Sequence, residues 1–319
     1  MSSLTPDRDR RLIGPILSTG DPGPHRELLV DVFGLVRDAF IDLSADQALA
    51  LWGVAVDTAH AELYLTPGTR SGVLLVRLDP PSPRTIRNRR RGDEHDALKV
   101  IDFYATDLDA SLAELAKRGF TVRDSIADYE MPEGRFREAH LWTEDEVVYA
   151  LLDGPADFMA RVVEISDRPF SEVMSVSTPT RARDTAMRFY SEVLGFEAVY
   201  RYGFDDDSFG ELVDGEGGMQ LTAVNMGTRL EAPFFGLIHY GARSDSAASL
   251  AQRAGFPDRG IAGALVEVQD LQACIDAAGD WPGSLLRPPG DAILGSFGRV
   301  TSALLRAPHG IVHQLIQRI

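Results

Sequence analysis

Two polar residues one step apart on the same face of an alternating segment are the first groups in this sequence that could do chemistry. In KVIDFYATD, Ile101, Phe103 and Ala105 form an apolar row, which leaves Val100, Asp102 and Tyr104 facing the other way. An aspartate and a tyrosine placed like this offer one substrate a proton acceptor and a hydrogen-bond donor. In ALVEVQDL, Glu267 takes the place of Tyr104, with Leu265 and Ser175 expected nearby on inward faces. Burial beside Leu and Val favours the protonated carboxyl, which suits a general acid or base. His140 in REAHLWT and His239 in FGLIHYG lie in strand-like segments and are the histidines expected to line a pocket. His25, His95 and His309 fall in helix-start, linker or turn sequence and are expected to be solvated. The catalytic candidates are therefore Asp102, Tyr104, His140, His239 and Glu267. No Ser-His-Asp or Cys-His order is visible, and GEGG near Gly215 lacks the strand and helix that flank a phosphate loop.

The elements that would position these groups recur along the chain. VDVFGLV around Gly34 matches SEVLGFE around Gly195, and AELYLTPGTRSG from Ala61 matches MQLTAVNMGTRLEA from Met219. Asp107 of IDFYATDLDASLAELAKRG matches Asp270 of ALVEVQDLQACIDAAG at nearly the same spacing. Such self-similarity marks two homologous halves. Each half divides again into a strand, a capped helix and further strands. The helices carry Leu108, Leu112 and Leu115 in one unit, and Leu271 and Ile275 in another. This βαβββ unit starts near Ile13, Val100, Val173 and Ala264, with QALALWGVA readable as strand or loop. The expected class is α+β, with four βαβββ modules in two tandem domains, each a cupped mixed β-sheet with flanking helices. The expected domains are 1–155 and 169–319, joined by a linker at 156–168.

The chain's 319 residues suffice for two ordinary domains, and 44% hydrophobic with 25% charged residues is a globular composition. A net charge of −16 argues against nucleic-acid and anionic-membrane partners, which need a basic face. The basic run RTIRNRRRG, with Arg87, Arg89, Arg90 and Arg91, reads as a solvated linker. Lysine occurs only at Lys99 and Lys117 in this arginine-rich chain. The lone cysteine, Cys274, excludes an internal disulfide and reads as a small core residue. No window is apolar enough to span a membrane and no apolar leader opens the chain, so a cytoplasmic location is expected.

DTAMRFYSEVLGF resembles the helix signature of the vicinal-oxygen-chelate superfamily, the class of glyoxalases, bleomycin-resistance proteins and extradiol dioxygenases. EVQDLQACIDAAG and LLRAPHGIVHQLIQ are similar to its strand-plus-helix and strand-turn-strand patterns, and the resemblance covers essentially the whole chain. It implies the cupped four-module fold. It also implies a divalent metal held by His or Gln on first strands and Glu on a last strand. Carried across residue by residue, those positions fall on Ser171, Gly263 and Gln314 in one half and Gly14, Val100 and Ala150 in the other. Gln314 alone could ligate, so no cofactor is expected. A one-residue shift of register would bring Glu172 and His313 inward beside Gln314 as a fallback iron, zinc or manganese site.

The class alone does not specify a reaction. The favoured expectation is a metal-independent lyase or isomerase that moves protons on an aromatic or polyketide-like metabolite. One alternative is a non-catalytic binding or resistance protein with an apolar cup. Another is a dioxygenase-like enzyme with relocated metal ligands. The expected partner is a small-molecule substrate, with no nucleic acid and no membrane, for a monomer or homodimer. Trp52, Trp142, Phe103, Phe234 and Phe235 could wall such a ligand.

Overall fold

The computed structural model describes residues 10–88, 91–213 and 219–319. Arg89, Arg90 and the GEGG segment lie outside them. The first module runs β1 (Arg11–Thr19), α1 (Pro22–Glu27), β2 (Val36–Ser44), α2 (Ala45–Trp52), β3 (Thr58–Leu65) and β4 (Gly72–Asp79). The second runs β5 (Val100–Tyr104), α3 (Leu108–Lys117), β6 (Thr121–Met131), β7 (Gly134–Trp142) and β8 (Val148–Asp153), and α4 (Ala156–Met159) leads out of it. The third comprises β9 (Ser175–Pro179), α5 (Arg183–Glu192), β10 (Glu197–Asp206), α6 (Asp207–Leu212), β11 (Met219–Gly227) and β12 (Phe234–His239), followed by α7 (Ala242–Ser246). The fourth comprises β13 (Gly260–Glu267), α8 (Leu271–Ala278), β14 (Leu285–Ile293), β15 (Arg299–Arg306) and β16 (Val312–Arg318).

The repeated helices start for the reason their sequence suggests. Asp107 and Asp270 are N-caps whose carboxylates accept from Ala110 N and Ala273 N. The segment QALALWGVA is neither strand nor loop but mostly helix α2. Ser44 and Gln47 close a capping box at its start, and Gly53 ends it in the left-handed conformation. The Asp205–Asp207 run supplies another cap, since Asp206 accepts from Phe209 N at the start of α6.

Among the described residues, sixteen strands form two eight-stranded sheets, in the orders β14-β15-β16-β13-β1-β4-β3-β2 and β10-β11-β12-β9-β5-β8-β7-β6. The first sheet joins the first module to the fourth through antiparallel β1 and β13, and the second joins the second to the third through β5 and β9. Consecutive modules were expected to share a cup, and the sheets correct this pairing. The sequence halves exchange modules, so the 156–168 segment connects β8 to β9 within one sheet and does not separate two sheets. The chain crosses between sheets through residues 80–99 and 240–259. These two crossings run side by side, with bridges Thr85–Arg259 and His95–Ser249.

Alternation along each strand divides the apolar residues into three layers. Phe103, Phe235, Val266 and Leu315 pack with the helices in the core shared by both sheets, where Phe33 stacks on Phe103 with centroids 4.1 Å apart. Cys274 belongs to this layer. Ile16, Leu74, Leu265 and Ile316 line the concave face of the first sheet. Tyr129, Phe136, Phe209 and Phe234 line that of the second.

Candidate functional site

Asp102 projects from β5 into the second sheet's cup, as its alternation with Ile101 and Phe103 requires. Its carboxylate accepts from the Ser175 hydroxyl of β9 and from that of Ser177, the latter at 2.9 Å. Both serines are buried, so these bonds replace water. Burial, reinforced by the charge of Glu138, pushes the Asp102 carboxyl up to about 7, while the two serines hold it back. Ser171 was expected at an inward first-strand position. It instead precedes β9, accepting from Tyr104 N and donating to Glu172 O. The strand begins four residues later, which puts Ser175 in the same cup as Asp102. Met174 also lines that cup.

His140 enters the same cup from β7, and Nε2 lies 2.9 Å from Glu138 Oε1. Burial pulls its imidazole below the ordinary histidine range, against the opposing pull of Glu138. Lys99 stands just before β5, buried, with Nζ donating to Tyr240 Oη at 2.9 Å. Desolvation and the nearby Arg87 guanidinium lower its ammonium to about 7. Neither Lys99 nor Glu138 was a sequence candidate. A lysine kept at a strand edge in a chain of arginines was the available signal for the first. For Glu138, its place two residues before His140 on one strand was the signal.

The aromatic wall comes from Tyr129, Tyr200, Tyr202, Phe204 and Phe209. Tyr129 stacks on Phe204 with centroids 4.1 Å apart. Phe234 belongs to this wall, whereas Trp52 lines the other cup and Phe103 and Phe235 are core. Trp142 packs with Val100, Val148 and Ala150.

The remaining candidates do not join this group. Tyr104 packs in the aromatic layer of the same cup but off the cavity wall, and burial raises its hydroxyl. His239 follows Ile238, which lines the cavity, so alternation turns it to the opposite face. Glu267 ends β13 in the first sheet, where its buried carboxylate accepts from Arg70 and from Arg318 Nε, the latter at 2.8 Å. The histidines expected to be solvated are buried. His25 meets Tyr149 and Asp145, His95 bonds Asp96 and the Ala247 carbonyl, and His309 lies 3.5 Å from Tyr190 Oη.

The first sheet's cup is larger, about 790 Å³ against about 80 Å³, and mostly apolar. At its floor Gln314 accepts from Trp52 Nε1 at 3.0 Å and donates to Ser302 at 3.1 Å, so its amide is satisfied internally. Helix α2 and strand β14 cover the cup with Leu49, Ala50, Arg287 and Ile293.

The metal implied by the resemblance does not fit these residues. The inward-facing groups on first and last strands include Asp102, Ser175, Ser177, Leu265 and Gln314, not a His, Gln and Glu set. Among the described residues no three His, Cys, Asp or Glu side chains converge as a metal site. The fallback set also separates. Glu172 accepts from the backbone of Glu164 and Ile165, and His313 bonds Tyr190 on the face of β16 opposite Gln314. Burial pushes His313 down to about 3.

No family model and no curated protein matches the sequence. The fold is that of the vicinal-oxygen-chelate class. Glyoxalase I from Zea mays superposes with a TM-score of 0.64 at 13% identity, over 97% of this chain and 92% of that one. A protein of Bacillus subtilis subsp. subtilis str. 168, provisionally described as a dioxygenase, superposes with a TM-score of 0.59 at 10% identity, over 97% and 86% of the two chains. Among the described residues no helix is long and apolar enough to cross a membrane.

Proposed function

We propose that this chain is a small-molecule enzyme whose active site is the second sheet's cup, working by proton transfer without the metal site usual for its fold. The observation that carries the reading is the Asp102 carboxylate. It is half-buried in the aromatic cup, held by two serine hydroxyls, and brought to about 7, where it can both take and return a proton. The His140–Glu138 pair on the facing side of the cup provides a second proton station. The cavity of about 80 Å³ limits the substrate to a small molecule, and its flat aromatic walls favour a planar one by stacking. Lyase and isomerase chemistry, in which a proton leaves one carbon and another group departs or shifts, fits these parts.

The test is deuterium exchange. Single-ring carbonyl and phenolic compounds are first screened for a thermal shift, and each binder is then followed by NMR in D2O. Enzyme-dependent exchange that Asp102→Asn abolishes is the expected result. Exchange at the wild-type rate in that variant would remove Asp102 from the mechanism.

A second reading rests on the first sheet's cup, whose volume, apolar lining and satisfied Gln314 suit binding without turnover. In that reading the cup sequesters a larger apolar molecule.

A further inference from the structure

Lys99 has a role the acid–base reading leaves open. It is buried, and its ammonium lines the aromatic cup. Among the described residues no carboxylate lies within ion-pairing distance of Nζ, and its hydrogen-bond partner is the Tyr240 hydroxyl. The amine also lies 5.1 Å from the Tyr240 ring centroid. A structural lysine at such depth is normally paired, because an unpaired buried charge is costly. The adjacent Arg87 is itself buried, donating to the carbonyls of Ala97 and Glu94, and adds like charge. Desolvation together with a cationic neighbour is the arrangement that makes a lysine amine a nucleophile.

We infer that Lys99 captures a small aldehyde or ketone in the second sheet's cup as an imine, which gives the proposed proton-transfer enzyme a carbonyl substrate class. This rests on the acid–base reading of the same cup. In the step, the Nζ lone pair bonds the carbonyl carbon and the C=O π pair moves to oxygen, which takes a proton. Loss of water from the carbinolamine then leaves the C=N bond. The two hydrogens lost by the neutral amine depart with the carbonyl oxygen as that water, and no oxidant or reductant is consumed. Asp102 and the His140–Glu138 pair are the proton donors and acceptors for the step. Protonation of the imine withdraws electrons from the neighbouring carbon and eases loss of its proton, the chemistry for which Asp102 is placed.

The test uses the intact protein at neutral pH with benzaldehyde as probe and sodium cyanoborohydride to reduce any imine. Peptide mass mapping then reads benzylation. Because the chain has only Lys99 and Lys117, the readout has one internal control among side chains. The expected result is an adduct on Lys99 exceeding that on Lys117 by at least about tenfold, since a surface lysine of pKa ~10.4 is almost wholly protonated at pH 7. Lys99→Met should abolish the adduct at that position while leaving the Lys117 signal unchanged. Lys99→Arg, which keeps the charge and cannot form an imine, serves if the methionine variant fails to fold. Equal labelling of both lysines, or labelling of Lys117 alone, overturns the inference. That failure would leave the acid–base reading standing, because exchange in Asp102→Asn judges it separately.

Discussion

Asp102 and His140 stand in one register row of the second sheet, each directly opposite Ala150 of β8. Ser175 continues the row on the far side of Asp102. Strands lie ~4.8 Å apart, so the two backbones are about two strand spacings from each other, with Ala150 between them. Asp102 and His140 both line the cavity, so a substrate there can meet either proton carrier.

Replacing Asp102 by Asn keeps acceptor capacity for the serine hydroxyls and removes the titrating group. Turnover of a substrate found by the exchange screen should fall by about 10²–10⁴-fold, the usual worth of a general acid or base. The far-UV spectrum should stay native. Loss of less than about tenfold would show that another group carries the proton.

Stability should report Asp102 and Lys99 with opposite pH dependence. The Asp102 carboxyl is raised to about 7 from the ~3.9 of an unfolded aspartate, so its favourable contribution is lost as pH rises through that window. The Lys99 amine is lowered to about 7 from ~10.4, so its contribution is lost as pH falls from there toward 7. Calorimetry should therefore find Asp102→Asn gaining Tm relative to wild type as pH rises from about 4 to about 7, and Lys99→Met gaining as pH falls from about 10 to about 7. Flat differences would mean that neither group is held as described.

Ala150→Leu should fill the gap between Asp102 and His140. Overpacking a close-fitted wall costs about 1–3 kcal/mol, so the variant should fold with a lowered denaturation midpoint and lose ligand binding in the second cup. Binding to the first cup should be unchanged, since Ala150 belongs to the other sheet. Retained binding of every second-cup ligand would place the binding site elsewhere.

The first cup can be probed through Trp52. Gln314→Leu leaves the indole N–H without its partner, at a cost of about 1–3 kcal/mol in urea unfolding. If the cup binds an apolar molecule, a fluorophore such as 1-anilinonaphthalene-8-sulfonate should quench Trp52, and Arg287→Ala, at the cup wall, should weaken that quenching several-fold. Quenching that survives Trp52→Phe at full amplitude would rule out this cup.

The repeats, the strand alternation and the aspartate caps were legible because they are local. Side chains alternate along a strand whatever it pairs with, so the inward face of Asp102 could be read from KVIDFYATD alone. The capped helices after Asp107 and Asp270 are equally local. The start of β9 was not legible, because SEVMSVS alternates acceptably in more than one frame. The strand's beginning is set by its pairing with β5 and β12.

By itself, the sequence determined four similar modules and an aspartate facing a cup. Only the tertiary structure decided which modules share a sheet. Edge pairing of β1 with β13 depends on backbone hydrogen bonds between distant segments, and such bonds carry no side-chain signature. Pairing of β5 with β9 brings Ser175 and Ser177 to Asp102, in a cavity that Lys99 and His140 also line. Those neighbours, through burial and charge, set the protonation of the carboxylate, which no local pattern encodes.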